Sequence, residues 1–227
     1  LHLPRPFVFR IDRMLLKRIL YIGIPNGLEN SMFQLGKILV LSLVSGFGTA
    51  AIAANAIGNY VAMFAILPGI AMGYTTITVV SQCVGAKDYE QVQYYTKKLI
   101  KLCYVFLLIF NAVMVLALPL ILHVYGLSDL ASQYARQILI YNAVCTVIIW
   151  PISFTLPNTL RASNDVAVTM LISIISMWIF RVAFSYLLGI CFHMELFGVW
   201  VAMTIDWLFR AICFFFRYRS GKWKSKS

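Results

Sequence analysis

Long runs of apolar residues alternate with short polar segments from one end of the chain to the other. A helix that crosses the hydrocarbon core of a bilayer needs about 20 predominantly apolar residues. Six stretches reach that length, at 19–45, 50–83, 102–124, 134–159, 166–190 and 197–216. The pattern therefore predicts an all-α integral membrane protein, built as a bundle of six transmembrane helices.

The composition supports the same class of protein. Hydrophobic residues make up 61% of the 227 residues and charged residues only 12%, whereas about a quarter of the residues in a soluble domain are charged. The formal net charge is +11. Nucleic acid is not a predicted partner, because no recognised binding motif accompanies the basic residues.

Most of the 19 Lys and Arg residues lie in alternate polar segments. They precede the first predicted span, follow the second and follow the sixth, and Arg161 lies in the loop after the fourth. Because basic loops are retained in the cytoplasm, the sequence predicts a multi-pass protein of the cell membrane with both termini cytoplasmic. We expect the basic segments to meet the anionic head groups of membrane lipid.

This distribution divides the chain into three parts. Residues 1–18 form a predicted cytoplasmic amphipathic linker, 19–216 the six-helix transmembrane lobe and 217–227 a basic cytoplasmic tail. Because the chain opens on a linker rather than a leader, we expect it to be the second half of a longer protein. The Cys and His residues form neither a CxxC nor an HExxH pattern, so no metal site is predicted.

Proline and glycine interrupt two of the predicted helices. The pair Gly23–Gly27 surrounds Pro25, and the pair Gly69–Gly73 follows Pro68. Kinked helices with small residues line cavities in many transporters, and the same glycine spacing also serves close helix packing. Both interpretations stay open from the sequence.

Charged residues inside membrane spans are costly, so each is a candidate functional residue. The predicted spans contain five: Glu29, Lys37, Arg181, Asp206 and Arg210. Glu29 lies about 16 Å beyond Arg18 at the helical rise, near the bilayer centre. It has no basic partner within its own helix, which suits a group that takes up a proton or binds a sodium ion.

Arg181, Asp206 and Arg210 form a second group. Arg181 and Asp206 lie at similar distances from the short loop that joins the fifth and sixth spans, so antiparallel packing places them at equal depth. Arg210 follows Asp206 at i+4, a spacing that allows pairing along one helix. The sequence therefore predicts a structural charge cluster that joins these two helices.

Several motifs resemble the C-terminal half of multidrug and toxic compound extrusion (MATE) transporters. The segment IGIPNGLENSMFQLGKILV at 22–40 is similar to the seventh helix of that family, and SQCVGA at 81–86 to the exit of the eighth. LPNTLRA at 156–162 and MWIFR at 177–181 resemble the Leu-Arg and Trp-x-x-Arg elements of the tenth and eleventh helices, and SGKW at 220–223 the basic end of the last.

The resemblance implies one lobe of a twelve-helix antiporter, with the N-terminal half of the same transporter as its partner. Such a protein exports small organic compounds, cationic or amphipathic, against an inward flow of protons or sodium ions. No other cofactor is implied. The functional Glu of the family's seventh helix corresponds to Glu29, which is therefore the expected coupling-ion site.

One position departs from the family pattern. A sodium-coupled branch carries an Asp in the tenth helix about ten residues before the Leu-Arg pair, and here Trp150 stands near that place. No acidic residue occurs between 134 and 159. The departure favours protons over sodium ions as the coupling ion.

The expected substrate cavity contains polar and polarisable side chains around Glu29. Methionine and amide groups suit varied lipophilic ligands because they adapt to different shapes. The candidates are Asn26, Asn30 and Gln34 from the first span and Asn55, Asn59, Met63 and Met72 from the second.

Two other classes of protein are alternatives. A lipid-linked oligosaccharide flippase of related architecture needs basic residues in its cavity to hold a pyrophosphate, whereas the central residue here is acidic. An intramembrane enzyme needs paired aspartates, a zinc motif or a Ser/His arrangement, and Asp206 is the only Asp deep within a span. The sequence therefore favours a transporter that is not an enzyme.

Overall fold

The computed structural model describes residues 13–225, without the side chains of Arg18, Ile22 and Ser225. This part of the chain is helical and contains no strand. Its α-helices are α1 (Arg13–Ser45), α2 (Thr49–Ala65), α3 (Leu67–Gly85), α4 (Tyr89–Tyr125), α5 (Asp129–Trp150), α6 (Leu156–Ala162), α7 (Val166–Ser176), α8 (Phe184–Tyr186) and α9 (Glu195–Arg219).

Short π-helical segments join several of these helices end to end. They span Pro151–Thr155, Met177–Ala183 and Leu187–Cys191, and a 3₁₀ turn follows at Lys222–Ser225. The helices therefore combine into six rods within the described residues. Rod 1 is α1, rod 2 is α2 with α3, rod 3 is α4, rod 4 is α5 with α6, rod 5 is α7 with α8, and rod 6 is α9.

Four rods in the described part of the chain are long and apolar enough to cross a membrane, and these are rods 3 to 6. Rod 2 is bent by 46° between α2 and α3 and gives a fifth candidate when it is counted as one span. Rod 1 is not among the candidates, because amide and charged side chains occupy its middle between Asn26 and Lys37. Rod 1 nevertheless carries Glu29 and three of the seven predicted cavity residues, Asn26, Asn30 and Gln34.

Several helix limits differ from the hydropathy pattern. Rod 1 begins at Arg13, so residues 13–18 of the predicted linker are helical. Rod 3 begins at Tyr89 rather than near residue 102, because the Asp88 carboxylate accepts a hydrogen bond from the Gln91 amide at 3.0 Å and caps the helix. Rod 6 continues to Arg219. The rest of the predicted linker and tail, 1–12 and 226–227, lies outside the described residues.

Successive rods run in opposite directions, which gives the bundle two distinct ends. The terminal end carries the loops at 86–88 and 163–165 and the 3₁₀ turn. It is held by the Arg217–Asp165 ion pair at 2.7 Å and by Trp223, which is buried and stacks on Tyr218. The opposite end carries the loops at 46–48, 126–128 and 192–194.

Both ends of the described chain lie at the terminal end. Arg13 and Lys17 of rod 1 share a surface cavity with Val166, the first residue of rod 5. At the opposite end the Tyr134 hydroxyl donates to the Glu195 carboxylate at 2.7 Å. The alternation of loops therefore agrees with an even number of crossings.

The two glycine pairs have different surroundings. A Cβ atom at Gly69 would lie 2.3 Å from Cζ3 of Trp150, and one at Gly73 would lie 2.8 Å from Nδ2 of Asn158. A Cβ atom at Gly23 or Gly27 would meet nothing within 4 Å among the described atoms. The second pair thus permits close packing of rod 2 on rod 4, and the first pair leaves the face of rod 1 uncovered within this lobe.

Candidate transport cavities

Glu29 forms a two-pronged ion pair with Arg161. Nη2 of Arg161 donates to both carboxylate oxygens, at 2.7 and 2.9 Å, and Nη1 donates to Oδ1 of Asn158 at 3.1 Å. The two side chains are largely shielded, with 14% of Glu29 and 24% of Arg161 exposed. Glu29 has no basic partner within its own helix, and its counter-ion comes from rod 4.

Sequence reasoning had placed Arg161 in a loop as a cytoplasmic retention charge. It lies instead in the last turn of α6, 132 residues from Glu29 along the chain. No local spacing rule reaches that far. The available signal was the Leu160–Arg161 element that resembles the transporter family.

The Glu29 cavity is the space in front of this ion pair, with a volume of about 220 Å³. Asn26 and Asn30 of rod 1 line it, and the Asn30 amide donates to the Asn26 carbonyl at 3.0 Å. Its other walls come from rods 4, 5 and 6. They include Ser153, Phe154, Pro157, Ser173 and Arg210, and Phe33 of rod 1 also lines the cavity.

Asp206 lies fully buried between rods 5 and 6 and contacts both arginines of its group. Nε of Arg210 donates to Oδ1 at 2.8 Å, and Nη1 of Arg181 lies 3.9 Å from Oδ2. The Ser176 hydroxyl also donates to Oδ1. Arg210 reaches across to the Ser173 carbonyl at 3.1 Å, so the cluster ties rod 6 to rod 5.

The ring of Phe33 lies at the centre of three positive charges. Lys37, Arg181 and Arg210 place their charged groups 5.3, 5.1 and 5.3 Å from its centroid. Such distances permit cation–π attraction. Phe33 thus connects the Glu29 cavity to the charge cluster and to Lys37, a contact that sequence reasoning missed.

A second cavity of about 270 Å³, the Lys37 cavity, is lined by two of the three cations that surround Phe33. Asn55 and Asn59 from rod 2 line it together with Lys37 and Arg181. Nε1 of Trp200 donates to Oδ1 of Asn55 at 3.2 Å. The predicted cavity residues are therefore divided between two spaces rather than gathered in one.

Three predicted cavity residues line neither space. Gln34 is exposed, and Met63 is 60% exposed on the outer face of rod 2. Met72 packs against the hydrophobic core. Helical periodicity explains their placement, because these residues lie on other faces of their helices than the amides that do line the cavities.

Trp150 occupies the position where the sodium-coupled branch was expected to carry an acid. It is buried against Gly69, and its ring stacks on Phe154 at 5.1 Å. An indole therefore fills the space beside rod 2 that a carboxylate would need. The described residues place no second acid next to Glu29.

The MatE family model matches residues 25–187, which is most of the chain. This chain belongs to the MatE family. Its members are transporters rather than enzymes, in agreement with the sequence prediction.

Curated relatives of this MatE chain are similar along nearly its whole length. The uncharacterized transporter YisQ of Bacillus subtilis is 26% identical over 96% of the chain and 48% of its own length. The probable multidrug resistance protein NorM of Thermotoga maritima is 24% identical over 93% and 45%. The chain spans about half the length of these relatives.

Solved structures show the same fold. An outward-facing multidrug resistance MATE family transporter of the MOP superfamily superposes with a TM-score of 0.84, at 21% identity, over 97% of this chain and 49% of that one. A MOP superfamily transporter from Pyrococcus furiosus superposes with a TM-score of 0.82 over 96% and 49%. The predicted fold class, one six-helix lobe of a MATE-type architecture, is thereby confirmed.

Proposed function

We propose that this chain forms one lobe of a cation-coupled antiporter that exports organic, cationic or amphipathic compounds across the cell membrane. Membership of the MatE family supports transport, and relatives named as multidrug resistance proteins support efflux. The chain corresponds to about half of each of these relatives. Its proposed partner is therefore the N-terminal half of the same transporter, and its termini face the cytoplasm.

The observation that carries the coupling proposal is the Glu29–Arg161 ion pair at the wall of a cavity. An ionised Glu29 holds Arg161 at 2.7 Å. A protonated Glu29 carries no charge, so it loses the charge-assisted hydrogen bonds that fix the guanidinium. Proton uptake would then free Arg161 and loosen rod 1 from the last turn of α6.

The protonation state of Glu29 also sets the order of steps in the proposed exchange, through its contact with Arg161. Loss of the proton restores the pair and closes the cavity wall, and gain of the proton opens it. Protons fit this role better than sodium ions, because Trp150 fills the place of a second acidic ligand and a sodium site needs several oxygen donors. The multidrug relatives do not favour a lipid-linked oligosaccharide flippase.

The experiment is Glu29→Gln in the full-length transporter, reconstituted in vesicles. Substrate efflux is measured with and without an imposed pH gradient. Gln keeps the shape and hydrogen bonding of Glu but cannot titrate, so we expect efflux to fall to the rate seen without a gradient. The matched control is Gln34→Ala, a change on the exposed face of the same helix. Efflux by Glu29→Gln that still follows the gradient at the wild-type rate would place the coupling elsewhere.

A further inference from the structure

The middle of the bundle holds more positive charge than negative charge. Two carboxylates lie there, and each already has a short contact with one arginine. Glu29 is 2.7 Å from Arg161, and Asp206 is 2.8 Å from Arg210. These two pairs use the carboxylates that the described part of the bundle interior offers.

Lys37 and Arg181 are the two cations of this region that have no carboxylate at hydrogen-bond distance among the described residues. Residues 13–225 place no carboxylate within 4 Å of the Lys37 ammonium. Arg181 reaches Asp206 only at 3.9 Å, too far for a hydrogen bond. Lys37 is exposed in this lobe, whereas only 12% of the Arg181 side chain is exposed. Burying a charge such as that of Arg181 is unfavourable unless it is paired, so a negative ligand that contacts both groups would be stabilised.

The Lys37 cavity brings these two cations to one space. Asn55 already accepts from Trp200 with its carbonyl oxygen at 3.2 Å, so the group it retains for a ligand is its NH₂ donor. No Asp or Glu is among the described residues that line this cavity. One N–H of the Asn59 amide already donates to the Asn55 backbone carbonyl at 2.8 Å. The polar side therefore offers two positive charges and the remaining amide donors of Asn55 and Asn59, beside the Asn59 side-chain oxygen.

The remaining walls of the cavity are apolar. Val40 and Leu41 follow Lys37 on the same face of rod 1, and Val199 and Met203 of rod 6 complete the apolar lining. Its volume of about 270 Å³ is close to the lower limit of about 300 Å³ for small-molecule pockets. A charged head group with a short apolar portion fits this combination, whereas a cationic group would be repelled by both Lys37 and Arg181.

We infer that the Lys37 cavity binds an oxyanion, the carboxylate or phosphate group of an amphipathic molecule. Arg181 supplies a planar guanidinium that matches either group, and Lys37 adds a mobile point charge. Binding of the oxyanion does not depend on the proposed function. The role of that molecule as a transported compound rests on the proposed function, and it would extend the substrates to compounds that carry an acidic group.

Direct binding to the full-length transporter tests the inference. The transporter is placed in nanodiscs of phosphatidylcholine, and binding of radiolabelled decanoate is compared with binding of decanol, which has the same chain length but no charge. We expect saturable decanoate binding and weaker decanol binding. Equal binding of the two, or no saturable decanoate binding because another part of the full-length protein neutralises Lys37, would overturn the inference.

Variants assign the binding to this cavity. Lys37→Gln should raise the Kd for decanoate about tenfold, the effect of losing one charged hydrogen bond, and Lys37→Arg should restore most of the affinity. The matched control is Lys17→Gln on the same helix, at the terminal end and outside the cavity. An unchanged Kd in Lys37→Gln would overturn the inference, and because Lys37 is exposed this variant does not depend on refilling a core.

Two further arms separate the source of the ligand and the two proposals. Adding phosphatidylglycerol to the nanodiscs should weaken decanoate binding if a lipid head group occupies the site, and leave it unchanged if the ligand is a soluble acid. Glu29→Gln should abolish the response of efflux to the pH gradient without changing the Kd for decanoate. Efflux by Glu29→Gln that still follows the pH gradient would contradict the coupling proposal alone. A decanoate Kd that Lys37→Gln leaves unchanged would contradict the binding inference alone.

Discussion

Asp206 holds the two arginines that would otherwise repel each other inside the bundle. Its carboxylate is fully buried, accepts from Ser176 and lies 2.8 Å from Arg210. Oδ2 has no hydrogen-bond partner among the described residues, and Arg181 is its nearest cation at 3.9 Å. The contact with Arg210 therefore contributes most of the stabilisation of the buried Asp206 carboxylate.

Removing the charge of Asp206 should destabilise the lobe. Asp206→Asn keeps the shape but leaves two buried cations without their counter-ion, and breaking a buried pair costs about 3–5 kcal/mol. Unfolding followed in detergent micelles measures the change. The double variant Asp206→Asn/Arg210→Gln should regain part of the loss, because it removes one unpaired cation. Equal stability of Asp206→Asn and the wild type would contradict a structural role for the cluster.

The sequence predicted these residues to different extents. Asp206 and Arg210 could be matched because the i+4 spacing is local. Glu29 could be identified because a charge inside an apolar span is unusual. Its partner Arg161 could not, since the contact crosses 132 residues and depends on how rods 1 and 4 pack. The division of the amides between two cavities depends on that packing too.

At the scale of the elements, rod 2 approaches rod 4 closely at glycine positions, of which Gly69 is the tightest. Gly69 lies opposite the buried Trp150, whose ring stacks on Phe154 and faces away from the bundle surface. Trp150 is the last residue of α5, and the π-helical segment Pro151–Thr155 begins immediately after it. A change at Gly69 therefore acts on the junction between α5 and α6, which positions Arg161.

Gly69→Ala should lower the free energy of unfolding by about 1–3 kcal/mol, because overpacking a filled core displaces neighbouring side chains. Its added Cβ would lie 2.3 Å from the indole. Gly85→Ala on the same helix is the control, since its Cβ would meet nothing within 4 Å. Thermal unfolding of both variants gives the comparison, and similar midpoints would show that the indole moves aside without cost.

Hydropathy predicted the rods better than their internal structure. The length of the apolar runs located all six regions, because the thickness of the hydrocarbon core sets how long a spanning helix must be. It missed the first turns of rod 3, where Lys97, Lys98 and Lys101 interrupt the apolar run. It also gave no sign of the π-helical segment at Met177–Ala183, because no proline or glycine marks it. That segment carries Arg181, so the direction in which the Arg181 side chain points could not be predicted from the sequence.

At the scale of the whole molecule, the bundle has a strongly basic end. Lys87, Arg217 and Lys222 lie there, with Arg13 and Lys17 at the start of rod 1. The opposite end carries few charged residues, among them Arg136 and Glu195. The structure places the two ends of the described chain together, and the positive-inside rule predicts that this end faces the cytoplasm.

Cysteine labelling tests that orientation. Cys191 is exposed near the opposite end, and Lys87 is exposed at the terminal end. A variant that keeps only Cys191 should react in intact cells with a membrane-impermeant maleimide. A variant in which Lys87→Cys is the sole cysteine of the full-length transporter should react only after the membrane is permeabilised. The reverse pattern would mean that the lobe is inserted with its basic end outside.

The packing of Trp223 has a consequence for how such a lobe can move. Trp223 stacks on Tyr218 and makes an edge contact with Tyr89. Arg217 donates two hydrogen bonds to the Asp165 carboxylate, at 2.7 and 3.0 Å. These contacts join rods 3, 5 and 6 to one another at the basic end of the bundle. The loop at 192–194 also joins rods 5 and 6 at the opposite end, so any spreading within this group separates rod 3 from rods 5 and 6 and is directed to the opposite end.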